Sequence, residues 1–173
     1  GAGDDTIAGE SGADSITGGA GNDTFDFITA SNIGGADTIT DMDFGTSTTA
    51  VDKIDINDLT TPNGGFDLKV IDSTGFAVDE DVVVITSQAF ATTTAVDTFY
   101  ETRSTAATGA SNDVVLIYQD TLGSVKLAMA VGADGAMSSA DQGDEYTVTD
   151  LATLSGLNIN TISTLVDIGD FVG

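Results

Sequence analysis

One short motif occurs three times in the first 27 residues, at a fixed spacing of nine residues. Each copy has a glycine, an aspartate two positions later and a large apolar residue two positions after the aspartate. The copies are Gly3 to Ile7, Gly12 to Ile16 and Gly21 to Phe25. A repeat of nine residues is too short for a pair of helices, so it predicts half a coil of a solenoid, with one turn and one strand per repeat.

The residue types indicate what each half of the repeat does. Glycine permits the positive backbone angles of a tight turn. Alternation along the short strand directs Ile7, Ile16 and Phe25 inward. One buried apolar side chain per repeat stabilises a coil only weakly, and carboxylates stacked at regular spacing repel one another. The sequence therefore predicts a cation between the turns that carry the aspartates.

The repeat resembles the RTX nonapeptide, G-G-x-G-x-D-x-U-x, in which U is a large apolar residue. Residues 18–26 match this pattern at every defined position, and the second copy departs from it with Glu10 in place of a glycine. The alternative, a glycine-rich acidic linker with a chance periodicity, is disfavoured by three copies in phase. The resemblance implies a parallel β-roll in which calcium lies between a loop and the next loop but one, bound by aspartate carboxylates and backbone carbonyls.

Carried over to this chain, the resemblance implies that Asp5 and Asp23 flank one ion. Asp14 needs a partner from a fourth loop, and Asp37 supplies it because the segment Gly35 to Thr40 is similar to Gly12 to Thr17. The residues implied to form the metal-binding loops are Asp5, Asp14, Asp23, Asp37, Gly3, Gly12, Gly21 and Asn22.

The charge of the chain favours divalent cations as partners. Its 173 residues include 28 acidic and 4 basic residues, for a formal net charge of −24. Such a chain repels polyanions, so we expect no nucleic-acid partner and no binding to anionic membranes. The absence of histidine and cysteine excludes disulfides, zinc sites built on these residues and histidine-dependent catalytic triads. No run of eighteen apolar residues occurs, so we expect no insertion into a membrane.

The segments "ADTITDMDF" and "VDKIDINDL" after the repeats are similar to the segment that caps the roll in serralysin-type proteases. We therefore expect residues 1–44 to hold the roll and the start of its cap, and residues 45–173 to form a β-rich capping and secretion domain. The predicted fold class is all-β: a short calcium-binding parallel β-roll, then an antiparallel sheet or sandwich with one short helix.

Apolar and β-branched runs predict the strands of this second part. The run Val82 to Ile85 is continuous rather than alternating, so we expect it to be central and buried on both faces. Asp113 to Gln119 and Ser124 to Val131 are expected to form a hairpin. The other predicted strands are Phe66 to Ile71, Asp81 to Thr86, Asp97 to Glu101 and Thr164 to Val172, and the predicted helix is Thr149 to Gly156.

The two ends of the chain predict that it is the exported C-terminal part of a longer protein. The segment Asp170 to Gly173, an aspartate followed by apolar residues, resembles the uncleaved C-terminal signal read by type I (ABC transporter) export systems. Gly1 lies inside a nonapeptide, so we expect the chain to be the C-terminal part of a longer protein. Deleting Ile168 to Gly173 is expected to stop export and to leave calcium binding intact.

Catalysis has no support in the residue pattern. Two carboxylates could be placed as in a glycosidase, but nothing singles out a pair. The acidic segment Asp134 to Glu145 lacks the alternating ligand spacing of a calcium loop and is expected to be a solvated loop. We therefore expect that the chain is not an enzyme.

Two functional classes remain. In the first, the chain is a calcium-binding module of a type I-secreted bacterial protein, folds outside the cell and self-associates as part of a surface-layer or other extracellular assembly. In the second, it is only the export and folding module of a secreted hydrolase or adhesin whose active part lies upstream.

Overall fold

The computed structural model describes residues 1–27, 35–45, 51–56, 68–71, 76–77, 82–105, 114–132, 146–165 and 170–172. This part of the chain is built mainly of strands, with two short helices. The strands are β1 Thr6–Ile7, β2 Ser15–Ile16, β3 Thr24–Asp26, β4 Asp37–Ile39, β5 Lys53–Asp55, β6 Leu68–Ile71, β7 Phe76–Ala77, β8 Val82–Phe90, β9 Ser104–Thr105, β10 Val114–Asp120, β11 Val125–Gly132, β12 Tyr146–Leu154 and β13 Phe171–Val172. The helices are α1 Thr93–Arg103 and α2 Ile159–Leu165.

Successive repeats alternate between two sheets, which confirms the prediction of half a coil per nonapeptide. The first sheet has the order β1-β3-β5-β13, and all its strand pairs are parallel. In the second sheet, β2 pairs in parallel with β4. We call β1 with β2 the first coil, β3 with β4 the second coil, and β5 the start of the third. Phe25, Ile39 and Ile54 are fully buried between the two sheets.

The second sheet continues from the roll into the rest of the chain. Its order is β2-β4-β12-β11-β10-β8-β6. Strand β12 pairs in parallel with β4, with Ala152 opposite Asp37 and Leu154 opposite Ile39. It therefore occupies the position that the next nonapeptide strand would take. The sheet is mixed rather than antiparallel, because β10 with β8 and β8 with β6 are also parallel pairs.

Two apolar cores lie on opposite faces of this seven-stranded sheet. The first, which we call the roll core, extends from Phe25 through Val84 and Ile117 to Ile162 of α2. The second, the outer core, contains Val83, Leu116 and the buried face of α1. Because neighbours along a strand point to opposite faces, both cores draw on the same strands. The run Val82 to Ile85 is fully buried on both faces, as predicted. The roll core crosses the predicted domain boundary between residues 44 and 45.

Two predicted elements are wrong, and each error has its own physical cause. Asp97 to Glu101 lies in α1, where Val96, Phe99 and Tyr100 are buried at helical spacing and the Thr92 hydroxyl accepts a hydrogen bond from the Ala95 N–H at 3.2 Å. Thr98, Phe99 and Tyr100 are residue types that favour a strand locally, and the helical packing of the buried face overrides that preference.

Long-range pairing overrides local preference in the other case. The predicted helix at residues 149–156 lies largely in β12, because β11 and β4 pair with its two edges. The strand predicted at residues 164–172 is confirmed at Phe171–Val172, whereas residues 164–165 end α2 and residues 166–169 lie outside the described residues. The β10–β11 hairpin is confirmed, with Val115 opposite Met129. The segment Asp134 to Glu145 lies outside the described residues.

Tyr118 provides a prediction about alkaline stability. Its hydroxyl donates a hydrogen bond to the Asp150 carboxylate at 2.7 Å. Burial, that hydrogen bond and the charges of Asp150 and Asp120 raise the pKa of Tyr118 above its usual value. The folded state therefore holds the phenolic proton more tightly than the unfolded state does. This contribution to stability is complete below pH ~10, the unfolded pKa, and is lost as the pH rises toward the folded pKa.

We expect an ultraviolet titration to show that the Tyr118 phenol ionises only as the protein unfolds. In Tyr118→Phe the alkaline loss of stability should be smaller. At neutral pH this variant should lose about 1.5–3 kcal/mol of stability at most, since the lost hydrogen bond has a charged acceptor. An unchanged alkaline profile in Tyr118→Phe would contradict this assignment.

Candidate calcium-binding site

The aspartates of the repeats form two ladders of hydrogen bonds that run from coil to coil. In the first ladder, the Asp5 N–H donates to Oδ1 of Asp23 at 2.9 Å, and the Asp23 N–H donates to Oδ1 of Asp52 at 3.0 Å. In the second, the Asp14 N–H donates to Oδ1 of Asp37 at 2.9 Å. Both predicted pairs, Asp5 with Asp23 and Asp14 with Asp37, are thus brought together. Each lower carboxylate is held in place by the backbone of the coil above it.

The lower carboxylates of both ladders are buried. Asp23 and Asp37 are each 1% exposed and Asp52 is 5% exposed, whereas the Asp5 side chain is 46% exposed and Asp14 is exposed. Burial of a charged group is unfavourable unless it is compensated. The buried rungs are therefore where a bound cation stabilises the fold most.

The pKa values of two of these carboxyls reflect this burial. Burial raises the pKa of Asp37, the hydrogen bond from the Asp14 N–H opposes the rise, and the charge of Asp14 adds to it. Burial also raises the pKa of Asp52, against the hydrogen bonds from the Asp23 and Asp43 N–H groups and together with the charges of Asp23 and Asp41. In both cases a neighbouring aspartate is part of the unfavourable interaction, which a cation between the two would reverse.

Two glycines let the turns approach the second oxygens of the buried carboxylates closely. A Cβ at Gly18 would overlap Oδ2 of Asp23, and a Cβ at Gly9 would lie 2.6 Å from Oδ2 of Asp37. None of the described residues donates a hydrogen bond to either of these Oδ2 atoms. Glycine therefore lets a turn pack against the oxygen of each buried carboxylate that receives no hydrogen bond from the described residues.

The chemistry of the donors fits calcium. Carboxylate and backbone carbonyl oxygens are the ligands that this hard cation prefers. Within the described ranges, no three acidic side chains meet closely enough to form a metal site by themselves. A site here thus depends on paired carboxylates together with backbone oxygens, as the sequence resemblance implies.

The predicted turn glycines adopt the backbone angles that the turns require. Gly3, Gly12 and Gly21 have φ values of 107°, 128° and 139°. Glu10, which stands in a family glycine position, has a φ of 63°, a value unusual for a residue with a side chain. The departure from the repeat pattern therefore leaves the turn geometry in place.

Asn22 forms hydrogen bonds to residues of the two neighbouring coils. Its N–H donates to Oδ1 of Asp4 at 2.8 Å, and its side-chain oxygen accepts a hydrogen bond from the Val51 N–H at 2.9 Å. The Asn22 side chain thus connects the second coil to the third. The prediction that Asn22 binds the metal therefore concerns its backbone oxygen and remains a prediction.

Two aspartates of the site were missed in the sequence. Asp52 is the third rung of the first ladder, and its Oδ2 also accepts a hydrogen bond from the Asp43 N–H at 2.9 Å. Asp41 accepts hydrogen bonds from the Gly18 and Gly19 N–H groups at 3.0 and 2.9 Å. A partial signal exists for Asp52, because Ile54 follows it at the spacing of the repeat. The turn glycine two positions before it is absent, since residue 50 is alanine.

The fold and its paired, buried carboxylates define a calcium-binding β-roll. The family model for four copies of the RTX calcium-binding nonapeptide repeat matches residues 1–27. No curated protein and no solved structure gives a significant match. Residues 1–27 are therefore RTX repeats, which bind calcium ions. In the part of the chain described, no helix has the length and apolar character needed to cross a membrane.

Proposed function

We propose that this chain is the C-terminal calcium-binding module of a type I-secreted bacterial protein and that its roll folds outside the cell when calcium binds. The burial of Asp23, Asp37 and Asp52 next to other carboxylates carries this proposal. Because the paired site exists only in the folded coils, the free energy of metal binding contributes to folding. Extracellular calcium sites typically bind at about 10⁻⁴–10⁻³ M, which suits folding after export.

Asp5, Asp14, Asp23 and Asp37 are the carboxylate ligands in this proposal. The loops that contain Gly3, Gly12, Gly21 and Asn22 supply backbone oxygens. The export apparatus is the second partner, and the resemblance of Asp170 to Gly173 to a type I signal supports it. The proposal includes no catalytic role, and residues upstream of this module would carry the activity of an exported hydrolase or adhesin.

Calcium titration followed by circular dichroism tests the module. We expect strand content to rise with calcium in the range of about 10⁻⁴–10⁻³ M and to fall again when a chelator is added. Magnesium at the same concentration is the control, because it requires a smaller octahedral site and retains its waters. Equal strand content with chelator and with millimolar calcium would exclude calcium-dependent folding of the roll.

We further propose that the chain takes part in an assembly at the cell surface. Among the described strands, β6 of the β-rich part lies at an edge of the seven-stranded sheet, and such edges pair readily with other chains. A net charge of −24 opposes association until cations reduce it. A cation shared by carboxylates of two chains supports a surface-layer or similar extracellular lattice.

Light scattering distinguishes the two functional classes. We expect particle mass to increase in a calcium series and to change little in sodium chloride at matched ionic strength, because sodium only screens the charges. A monomer throughout the calcium series would remove the assembly role and leave the export and folding module.

A further inference from the structure

The turn at Gly18 and Gly19 in the second coil is held by Asp41, which lies in the segment that joins β4 to β5. The Gly18 N–H donates to Oδ1 of Asp41 at 3.0 Å, and the Gly19 N–H donates to Oδ2 at 2.9 Å. Both oxygens of one carboxylate thus accept hydrogen bonds from consecutive backbone groups. Hydrogen bonds to a charged acceptor are roughly twice as strong as those between neutral groups, so Asp41 fixes the orientation of this turn.

The same turn faces the paired carboxylates on its other side. The Gly18 carbonyl oxygen accepts a hydrogen bond from the Gly1 nitrogen, which lies 3.4 Å from Oδ2 of Asp5. A Cβ at Gly18 would overlap Oδ2 of Asp23. The Gly18 carbonyl is therefore directed toward the interval between the first and second coils, in which Asp5 and Asp23 are paired.

One peptide unit connects the two sides of the turn. The Gly19 N–H and the Gly18 C=O belong to this unit, and in a trans peptide the two groups point in opposite directions. An N–H that is fixed on Asp41 therefore keeps the C=O directed toward Asp5 and Asp23. The carboxylate also polarises the peptide, because hydrogen-bonded groups in a chain strengthen one another, and this makes the Gly18 oxygen a better metal ligand.

Asp41 departs from the repeat pattern at the position where this contact forms. It follows Thr40 as Gly18 follows Thr17, and the segment Gly35 to Thr40 is similar to Gly12 to Thr17. Asp41 thus stands at the first position of a nonapeptide, where the pattern has glycine. A glycine at this position would have no side chain to reach the N–H groups of the preceding coil.

We propose that Asp41 is a positioning residue of the calcium site between Asp5 and Asp23. Its carboxylate holds the Gly18–Gly19 peptide so that the Gly18 oxygen is available to the calcium ion, and Asp41 does not bind that ion itself. This role rests on the proposed calcium-binding function and adds to it a residue that acts through the backbone of another coil.

The calcium affinity of Asp41→Ala tests this role. Groups that orient metal ligands typically change metal affinity by roughly 10–100-fold, so calorimetric titration should show a loss in this range with an unchanged number of bound ions. Asp43→Ala is the matched control, because it removes the same charge two positions along the chain. Asp43 is exposed and accepts a hydrogen bond from the Gly45 N–H at 2.8 Å. This control should retain nearly full calcium affinity.

Terbium luminescence supplies a readout that a merely structural role would not change. Terbium binds oxygen ligands as calcium does, and its emission decays faster for each water molecule bound to it. When the Gly18 oxygen is no longer held toward the site, about one water should replace it on the affected ion in Asp41→Ala. Decay rates in light and heavy water measure this number. Asp43→Ala should show no added water relative to the unchanged chain.

Three results would overturn the positioning role. Equal calcium affinity in Asp41→Ala and Asp43→Ala would mean that the contact does not affect the site. Weaker binding without an added water would assign the effect to charge alone. The loss of one bound ion in Asp41→Ala would make Asp41 a ligand, with Asp52 as the nearby carboxylate, since the charge of Asp41 acts on Asp52.

Two further outcomes are distinguishable from these. The absence of calcium binding by the unchanged chain would overturn the proposed function, whatever the variants do. If Asp41→Ala fails to fold in saturating calcium, Asp41→Asn replaces it in both experiments. Asparagine retains one acceptor oxygen, so one of the two N–H groups stays paired. Reduced affinity with an added water in Asp41→Asn would support the positioning role, and unchanged affinity and hydration would overturn it.

Discussion

Replacing Asp23 by asparagine is expected to weaken calcium binding by at least about tenfold, or about 1.4 kcal/mol. Asp23 is the central rung of the first ladder: its Oδ1 accepts a hydrogen bond from the Asp5 N–H, and its own N–H donates to Asp52. Asparagine retains the shape and one acceptor oxygen, so the ladder can persist. The substitution removes the negative charge that the cation binds.

The sign of the effect should differ with and without calcium. In calcium, Asp23→Asn should lower the free energy of unfolding because less metal binding is coupled to folding. In chelator, the variant should fold no worse than the unchanged chain, since a carboxylate that is 1% exposed is replaced by a neutral group. A purely structural role for Asp23 predicts equal destabilisation in both conditions.

Asp4→Asn is the matched control. Asp4 is exposed and accepts one hydrogen bond from the Asn22 N–H at 2.8 Å. Asp4→Asn makes the same chemical change at the position that directly precedes the repeat aspartate Asp5. This variant should retain nearly full calcium affinity. Calorimetric titration and denaturant unfolding of both variants measure the difference. Equal loss of affinity in the two variants would mean that net charge, rather than a site at Asp23, governs calcium binding.

The roll could be predicted from sequence because its structure is local and periodic. A spacing of nine residues fixes the turn, the strand and the stacking partner together, so the pair Asp5 with Asp23 follows from the repeat number. The pair Asp14 with Asp37 follows from the similarity of Gly35 to Thr40 to Gly12 to Thr17. Asp52 could not be found in the same way. Its coil lacks the turn glycine, and its place in the ladder depends on β5 pairing with β3.

The rest of the fold could be predicted only in part, because its pairing partners are distant in sequence. Residues 149–154 begin with threonine and aspartate, which favour a helix N-terminus, yet β12 pairs with β4 more than 100 positions earlier in the chain. Phe171 could be assigned to a terminal strand from its apolar neighbours. Its partner, Ile54, depends on how the third coil closes, and no local pattern contains that information.

Gly21 is a second position at which we expect a substitution to be strongly destabilising, because the backbones of two coils lie close together there. Gly21 has a φ of 139°, and a Cβ there would overlap the Gly3 carbonyl oxygen of the first coil. Backbone atoms cannot move aside as a flexible side chain can. Gly21→Ala must therefore push the first coil away and stretch the hydrogen bond from the Gly3 N–H to the Ala20 carbonyl, which measures 2.6 Å.

Gly3→Ala separates this effect from backbone strain. Gly3 also has a positive φ, 107°, but a Cβ there meets nothing within 4 Å. Each alanine incurs roughly 1–2 kcal/mol for the left-handed conformation. Gly21→Ala should lose a further 1–3 kcal/mol or so from overpacking. Because a wider gap between coils also separates Asp5 from Asp23, its calcium affinity should fall, whereas that of Gly3→Ala should not. Unfolding in saturating calcium and calorimetric titration of both variants measure the two effects, and equal behaviour of the pair would contradict direct contact between coil backbones.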